Sequence, residues 1–213
     1  MKKISQLMLS LVFYSLTGVG ISLTIKAGIG VSSFNSLNVA LSNALQMKIG
    51  MITTILNGGF LLAYILLSKF RHPAKYLTQA VAAICLGTVI DFFTYQVLGN
   101  VTVTGYWGNL LTFILGTSIA GVATGMVLNL EVMAFPIESA CMEFAQKTRL
   151  PFSRVRYGVD LLCVSVSLIL SLLLGLPIFV REGTVISLFL LTAAISFTKK
   201  LFEKAIHKKV SSK

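Results

Sequence analysis

Acidic side chains are scarce in this chain: seven Asp and Glu stand against 18 Lys and Arg, and charged residues make up only 12% of 213 positions. A water-soluble domain needs about a quarter charged residues to cover its surface, so the ordinary globular class is excluded, together with the disordered and fibrous classes. Histidine occurs twice, His72 and His207, each in a basic segment without a second ligand nearby. Cys85, Cys141 and Cys163 are far apart, each in or beside an apolar stretch and at no metal or redox spacing, and read as small apolar packing residues. No GxSxG elbow, HExxH pair, P-loop or dinucleotide fingerprint occurs, so neither catalysis nor a cofactor is expected. What is abundant is apolar: 55% of residues, with a mean hydropathy of +0.87. The net charge of +11 does not signal nucleic acid, because the basic residues punctuate long uncharged runs instead of forming a face with aromatic platforms. The bilayer is the expected solvent.

A helix needs about 20 mainly apolar residues to cross the hydrocarbon core. Six segments are expected to span: 4–25, 50–68, 76–98, 108–128, 157–180 and the shorter 183–198. The first exceeds the apolar core of a signal peptide and is read as a retained span. Between the first two spans, 27–47 is free of charge but dense in Ser32, Ser33, Asn35, Ser36, Asn38, Ser42 and Asn43, which predicts a re-entrant or half-buried helix. With a cytoplasmic N-terminus, six crossings put every Lys and Arg on the cytoplasmic side except Lys26, Lys48 and Arg181. The C-terminus is then cytoplasmic, and its basic tail from Lys199 is expected to rest on anionic headgroups of the cell's inner membrane.

The halves of the chain echo one another. Gly87-Thr88-Val89-Ile90-Asp91 returns as Gly183-Thr184-Val185-Ile186-Ser187, 96 residues on. At a spacing of 103, Gly18-Val19 meets Gly121-Val122, Ser33-Phe34-Asn35-Ser36 meets Pro136-Ile137-Glu138-Ser139, and Asn57 meets Asp160. Three crossings per unit force the second unit to enter from the opposite side. The expected fold is therefore an all-α membrane protein, a six-span helical bundle of two inverted three-span repeats, each carrying a short re-entrant helix. Its parts are a first repeat over 1–98, an extracytoplasmic connection over 99–107, a second repeat over 108–198 and a tail over 199–213.

Polar groups that lipid would not tolerate mark the candidate site. A half-helix is predicted to start at Ser33 or Phe34, with Asn35, Asn38 and Ser42 on one stripe and Leu37, Leu41 and Leu45 on another. Its counterpart starts at Pro136 and carries Glu138 in the first turn. Ionisable groups at the helix centre cost about 2.5–3.5 kcal/mol, which singles out Asp91, Glu138 and Asp160. Asp160 also has Arg156 one turn earlier as a structural partner, and Glu131 and Glu143 are expected at the cytoplasmic interface. Gly121 and Gly125 have GxxxG spacing, a packing signal, and Gly58-Gly59 suggests a kink or a thin crossing point.

Taken together, Gly28-Ile29-Gly30-Val31-Ser32-Ser33-Phe34-Asn35-Ser36-Leu37, the Gly87–Asp91 segment, Pro136-Ile137-Glu138 and Gly183-Thr184 resemble the YczE/YyaS/YitT-like family of bacterial integral membrane proteins. The chain carries Ser33 where that pattern is expected to have proline, and Asn35 and Glu138 where it is expected to have aspartate. The resemblance implies a multi-pass inner-membrane protein of poorly defined activity, described as a permease or an accessory membrane factor. The leading expectation is a permease for a small polar or ionic solute, through a cavity lined by Asn35, Asn38, Asn57, Asp91, Glu138 and Asp160. The rival is a non-transporting scaffold or regulator that docks a cytoplasmic partner through basic loops and tail. Beyond the lipid bilayer, a small polar solute and a second copy of the chain, as a homodimer, are the candidate partners. No metal is expected.

Overall fold

The computed structural model describes residues 3–130 and 134–211, and among these every regular element is helical. Eight α-helices follow in order: α1 (Lys3–Ala27), α2 (Ser33–Leu45), α3 (Ile49–Leu67), α4 (Pro73–Asp91), α5 (Tyr106–Leu130), α6 (Pro136–Thr148), α7 (Phe152–Leu174) and α8 (Glu182–Ser211). A π-helical segment, Phe92–Val97, prolongs α4. Five stretches are long and apolar enough to cross a bilayer: Ser5–Ala27, Ile49–Leu67, Pro73–Val97, Tyr106–Leu130 and Phe152–Leu174. The sixth expected span corresponds to Glu182–Thr198, a shorter apolar stretch of α8. Glu131 lies outside the described residues.

α2 and α6 are each 13 residues long. At 1.5 Å per residue such a helix reaches about 20 Å, short of the ~30 Å hydrocarbon core. Both end the same way. Gln46 and Arg149 adopt left-handed φ of 55°, and the next residue closes the turn, Met47 N–H on the Ser42 carbonyl at 3.0 Å and Leu150 N–H on the Ala145 carbonyl at 3.2 Å. Their first turns match too, with Ser36 N–H on the Ser32 carbonyl and Ser139 N–H on the Phe135 carbonyl. α6 and α7 begin 103 residues after α2 and α3.

The other echo does not mark equivalent places. Gly87 lies late in α4, where a Cβ would strike the Gly50 carbonyl and the Thr54 hydroxyl of α3. Gly183 is the second residue of α8, where its N–H donates to the Ile29 carbonyl at 2.9 Å and Thr184 Oγ1 donates to the Val31 carbonyl at 2.7 Å. The same letters serve a helix crossing in one half and a helix start in the other.

Packing is exchanged between the halves. α1 and α5 form the most extensive contact, opposed at Gly20 and Gly116, where a Cβ on Gly20 would fall 2.6 Å from the Gly116 carbonyl. α2 packs more on α7 than on α3, and α6 more on α3 than on α7. Gly121 and Gly125 seat α5 on α8, at Ala194 and Thr198, as the GxxxG spacing predicts. Gly58 and Gly59 face open space on an unbroken α3, so the thin crossing expected there occurs instead at Gly50 and Gly87. One contact lacks a mate among the described residues: α3 packs along α4, whereas α7 and α8 barely touch.

Candidate functional site

Asp160 is the ninth residue of α7, about 12 Å along the helix from its start. Its Oδ1 receives a bond from the Arg156 guanidinium at 2.6 Å and another from Ser33 Oγ at 2.6 Å. Ser33 is the first residue of α2, so its hydroxyl ties that helix start to α7. Three residues on, the Ser36 carbonyl accepts from Ser167 Oγ, so α2 runs alongside α7 in the same direction. Arg156 Nε also lies 3.9 Å from Glu138 Oε1, in the first turn of α6. One cation thus sits between two carboxylates and joins both half-helix starts to α7.

Several buried polar atoms here have no protein partner: Glu138 Oε2, the Tyr14 hydroxyl from α1, and Asn38 Oδ1 one turn into α2. Tyr14 stacks on Phe135, immediately before α6, with ring centroids 4.4 Å apart. An orphaned buried polar atom costs about 1–3 kcal/mol, so this centre is polar beyond what helix packing requires. Cys141 and Cys163 are buried free thiols. Among the described residues, no three His, Cys, Asp or Glu side chains gather as a metal site.

Asn35 and Asn38 sit in the first turns of α2 above this centre, and Asn57 and Asp91 lie apart from it. Asn38 Nδ2 donates to the Phe34 carbonyl at 3.0 Å and to Asn35 Oδ1 at 3.4 Å, so its amide N–H groups are used within α2 while Asn38 Oδ1 is left without a partner among the described residues. Asn57 is buried on α3 and donates to the Thr53 carbonyl, a turn from Leu61 and Tyr64, which pack against Ala140 of α6. Asp91 is remote from the charged cluster. Its Oδ1 accepts the Gly50 N–H at 2.7 Å, while the Tyr95 hydroxyl accepts the Ile49 N–H at 3.2 Å. The end of α4 and its π-helical extension therefore satisfy the first turn of α3, whose N–H groups have no intrahelical acceptor.

A cavity of ≈ 660 Å³ opens at the end of the bundle that carries the α2–α3 and α7–α8 connections. Its polar walls are Ser42, Asn43, Gln46 and Tyr95, its cations are Lys48 and Arg181, and Gly30 and Val31 line the side toward α2. None of the six expected site residues lines it. Lys48 and Arg181 were legible in another guise, as two of the three basic residues left outside by the positive-inside count; cations retained against that bias are the signal that points to them.

A family model described as "Family of unknown function (DUF6198)" matches residues 1–200. The chain belongs to that family. Two relatives, both from Bacillus subtilis (strain 168), bear out the resemblance read from the motifs. The uncharacterized protein YyaS is 27% identical over 120 residues, covering 56% of this chain and 58% of the relative. The uncharacterized membrane protein YczE is 25% identical over 143 residues, covering 67% of this chain and 64% of the relative. The chain therefore spans less than two thirds of either relative's length in these matches. No solved structure matches. The apolar helices and the membrane relative agree on a helical membrane protein.

Proposed function

We infer that the chain is a multi-pass permease for a small polar or ionic solute, working by alternating access between two inverted three-span repeats. The observation that carries this reading is the relation of cavity to plug. The cavity ends at Gly30 and Val31, and two residues further on Ser33 is fastened to Asp160 within the Arg156 cluster. Glu138 and Asp160 thereby act beneath the vestibule, as the closure that a passing solute must open, and not as its lining.

Further support comes from the common 103-residue register of α2–α3 and α6–α7, which extends to the left-handed ends of both half-helices. Each half-helix leans chiefly on the third helix of the opposite unit, so a shift of one unit against the other moves both plugs together. The difference between the packed α3–α4 pair and the parted α7–α8 pair is the asymmetry that one of two exchangeable states needs. Under the positive-inside orientation the cavity faces outward, with both termini in the cytoplasm.

The test is solute uptake into proteoliposomes by a chain whose three native cysteines are alanine and which carries Ser33→Cys and Asp160→Cys. Uptake of at least one polar solute is expected with the thiols reduced and should stop when they are oxidised to a disulfide. Uptake indifferent to that cross-link refutes the plug, and absence of uptake by the unsubstituted chain of every amino acid, carboxylate, phosphate and ammonium compound tried refutes the permease.

A further inference from the structure

The geometry points to an anion site in the vestibule: Lys48, Arg181 and the backbone of Gly30 and Val31 form a cradle for a carboxylate- or phosphate-bearing solute. This deepens the permease reading and rests on it for its purpose, although binding itself can be measured without transport.

The charge balance of the walls carries the argument. Two cations line the cavity and no Asp or Glu does. Among the described residues Lys48 makes no ion pair. Arg181 is partly balanced by its neighbour Glu182, Nε to Oε2 at 3.6 Å, and donates to the Gly28 carbonyl at 3.2 Å, which aims the guanidinium at the 28–31 segment. Of the other charges at this end, the Asp91 carboxylate accepts the Gly50 N–H outside the lining and balances Lys48 in part from there, and the cation Lys26 donates to the Gly99 carbonyl.

The wall also supplies donors. Among the described residues the N–H groups of Gly30 and Val31 have no protein acceptor, since the bonds of this segment run through the carbonyls of Ile29 and Val31 to α8. Gly30 has φ of +112°, a conformation that side-chain-bearing residues rarely adopt, and a Cβ there would meet Arg181 at 3.1 Å. Glycine keeps this segment close to the backbone and Cβ of Arg181 at the start of α8. Cations on a cleft with low-dielectric walls focus their field into it, and ~660 Å³ is within the range of small-molecule sites, about 300–1,000 Å³. A carboxylate or phosphate in the cavity is attracted by the two cations that line it, whereas an ammonium compound is repelled by them.

The experiment uses the full chain in phosphatidylcholine nanodiscs, with thermal unfolding followed in a fixed chloride background while phosphate, succinate, glycerol or choline is added. Phosphate or succinate should raise the midpoint saturably and glycerol and choline should not. Lys48→Gln and Arg181→Gln should each weaken the apparent anion affinity about tenfold, with Lys48→Arg retaining it and showing that the position tolerates change. Protection by choline or glycerol alone, protection by anions that survives both neutral variants, or no protection by either anion overturns the proposal. Replacing part of the lipid with phosphatidylglycerol separates the two sources of the anionic group: a headgroup occupant protects without added solute and blocks the phosphate effect, and a soluble one does neither. Proteoliposomes that take up neutral or cationic solutes while the anion arm fails would leave the permease standing and remove only the anion site.

Discussion

Replacing Arg156 by Met keeps much of the side-chain length and removes the one cation between Glu138 and Asp160. The bond to Asp160 is 2.6 Å and the approach to Glu138 is 3.9 Å. At an effective dielectric of ~20 the Glu138 pair has about 4 kcal/mol of gross attraction and the closer Asp160 pair about 6 kcal/mol. Desolvation offsets much of that, and breaking a fully buried pair by removing one partner costs about 3–5 kcal/mol. Here Arg156 and Glu138 side chains are 25% exposed and Asp160 17%, so solvent relieves part of the strain and a loss of about 2–3 kcal/mol is expected. The measurement is reversible denaturation in mixed micelles, followed by circular dichroism. The triple variant Arg156→Met, Glu138→Gln, Asp160→Asn removes all three charges and should return to within about 1 kcal/mol of the parent, because no uncompensated charge remains. A single variant within about 0.5 kcal/mol of the parent, or a triple variant no better than the single, refutes the claim that Arg156 holds the half-helix starts to α7.

Asp91→Ala should destabilise by about 1–2 kcal/mol, the worth of a helix-start acceptor, and Asp91→Asn by less, since its carbonyl still accepts the Gly50 N–H; equal losses in the same denaturation assay would place the role of Asp91 in its charge. Gly58→Ala and Gly59→Ala should each stabilise by about 0.5–1 kcal/mol, as a Cβ there meets nothing and alanine favours the helix. Gly121→Val and Gly125→Val should cost about 1–3 kcal/mol each by crowding Ala194 and Thr198, and neutrality at both would mean that α5 and α8 do not pack as described.

The start of each half-helix is legible in the chain because it is written locally: glycines and serines before Ser33, proline at 136. Their ends are not, since Gln46 and Arg149 take left-handed turns that glycine or asparagine usually marks. The pairing of Arg156 with Asp160 follows from their i, i+4 spacing, while the arrival of Glu138 depends on how α6 meets α7, which no local pattern encodes. Asp91 misleads for a similar reason. An acid in an apolar helix reads as a solute site, yet its partner is a backbone N–H 41 residues away. The repeated Gly-Thr-Val-Ile misleads in the opposite sense, since four shared letters outweigh helix position until Gly87 and Gly183 are seen in different turns. The vestibule is formed by connections between helices, and hydrophobic periodicity, which reports faces of helices, is silent about such a cavity.

Alternating exchange of the two units is tested most directly by paired distance measurements on spin labels, one pair across the cavity mouth at positions 46 and 178 and one across the opposite end at 149 and 71. Saturating transported solute should shorten the first distance while lengthening the second in the same molecules. Two distances that stay fixed, or that open and close together, contradict the account.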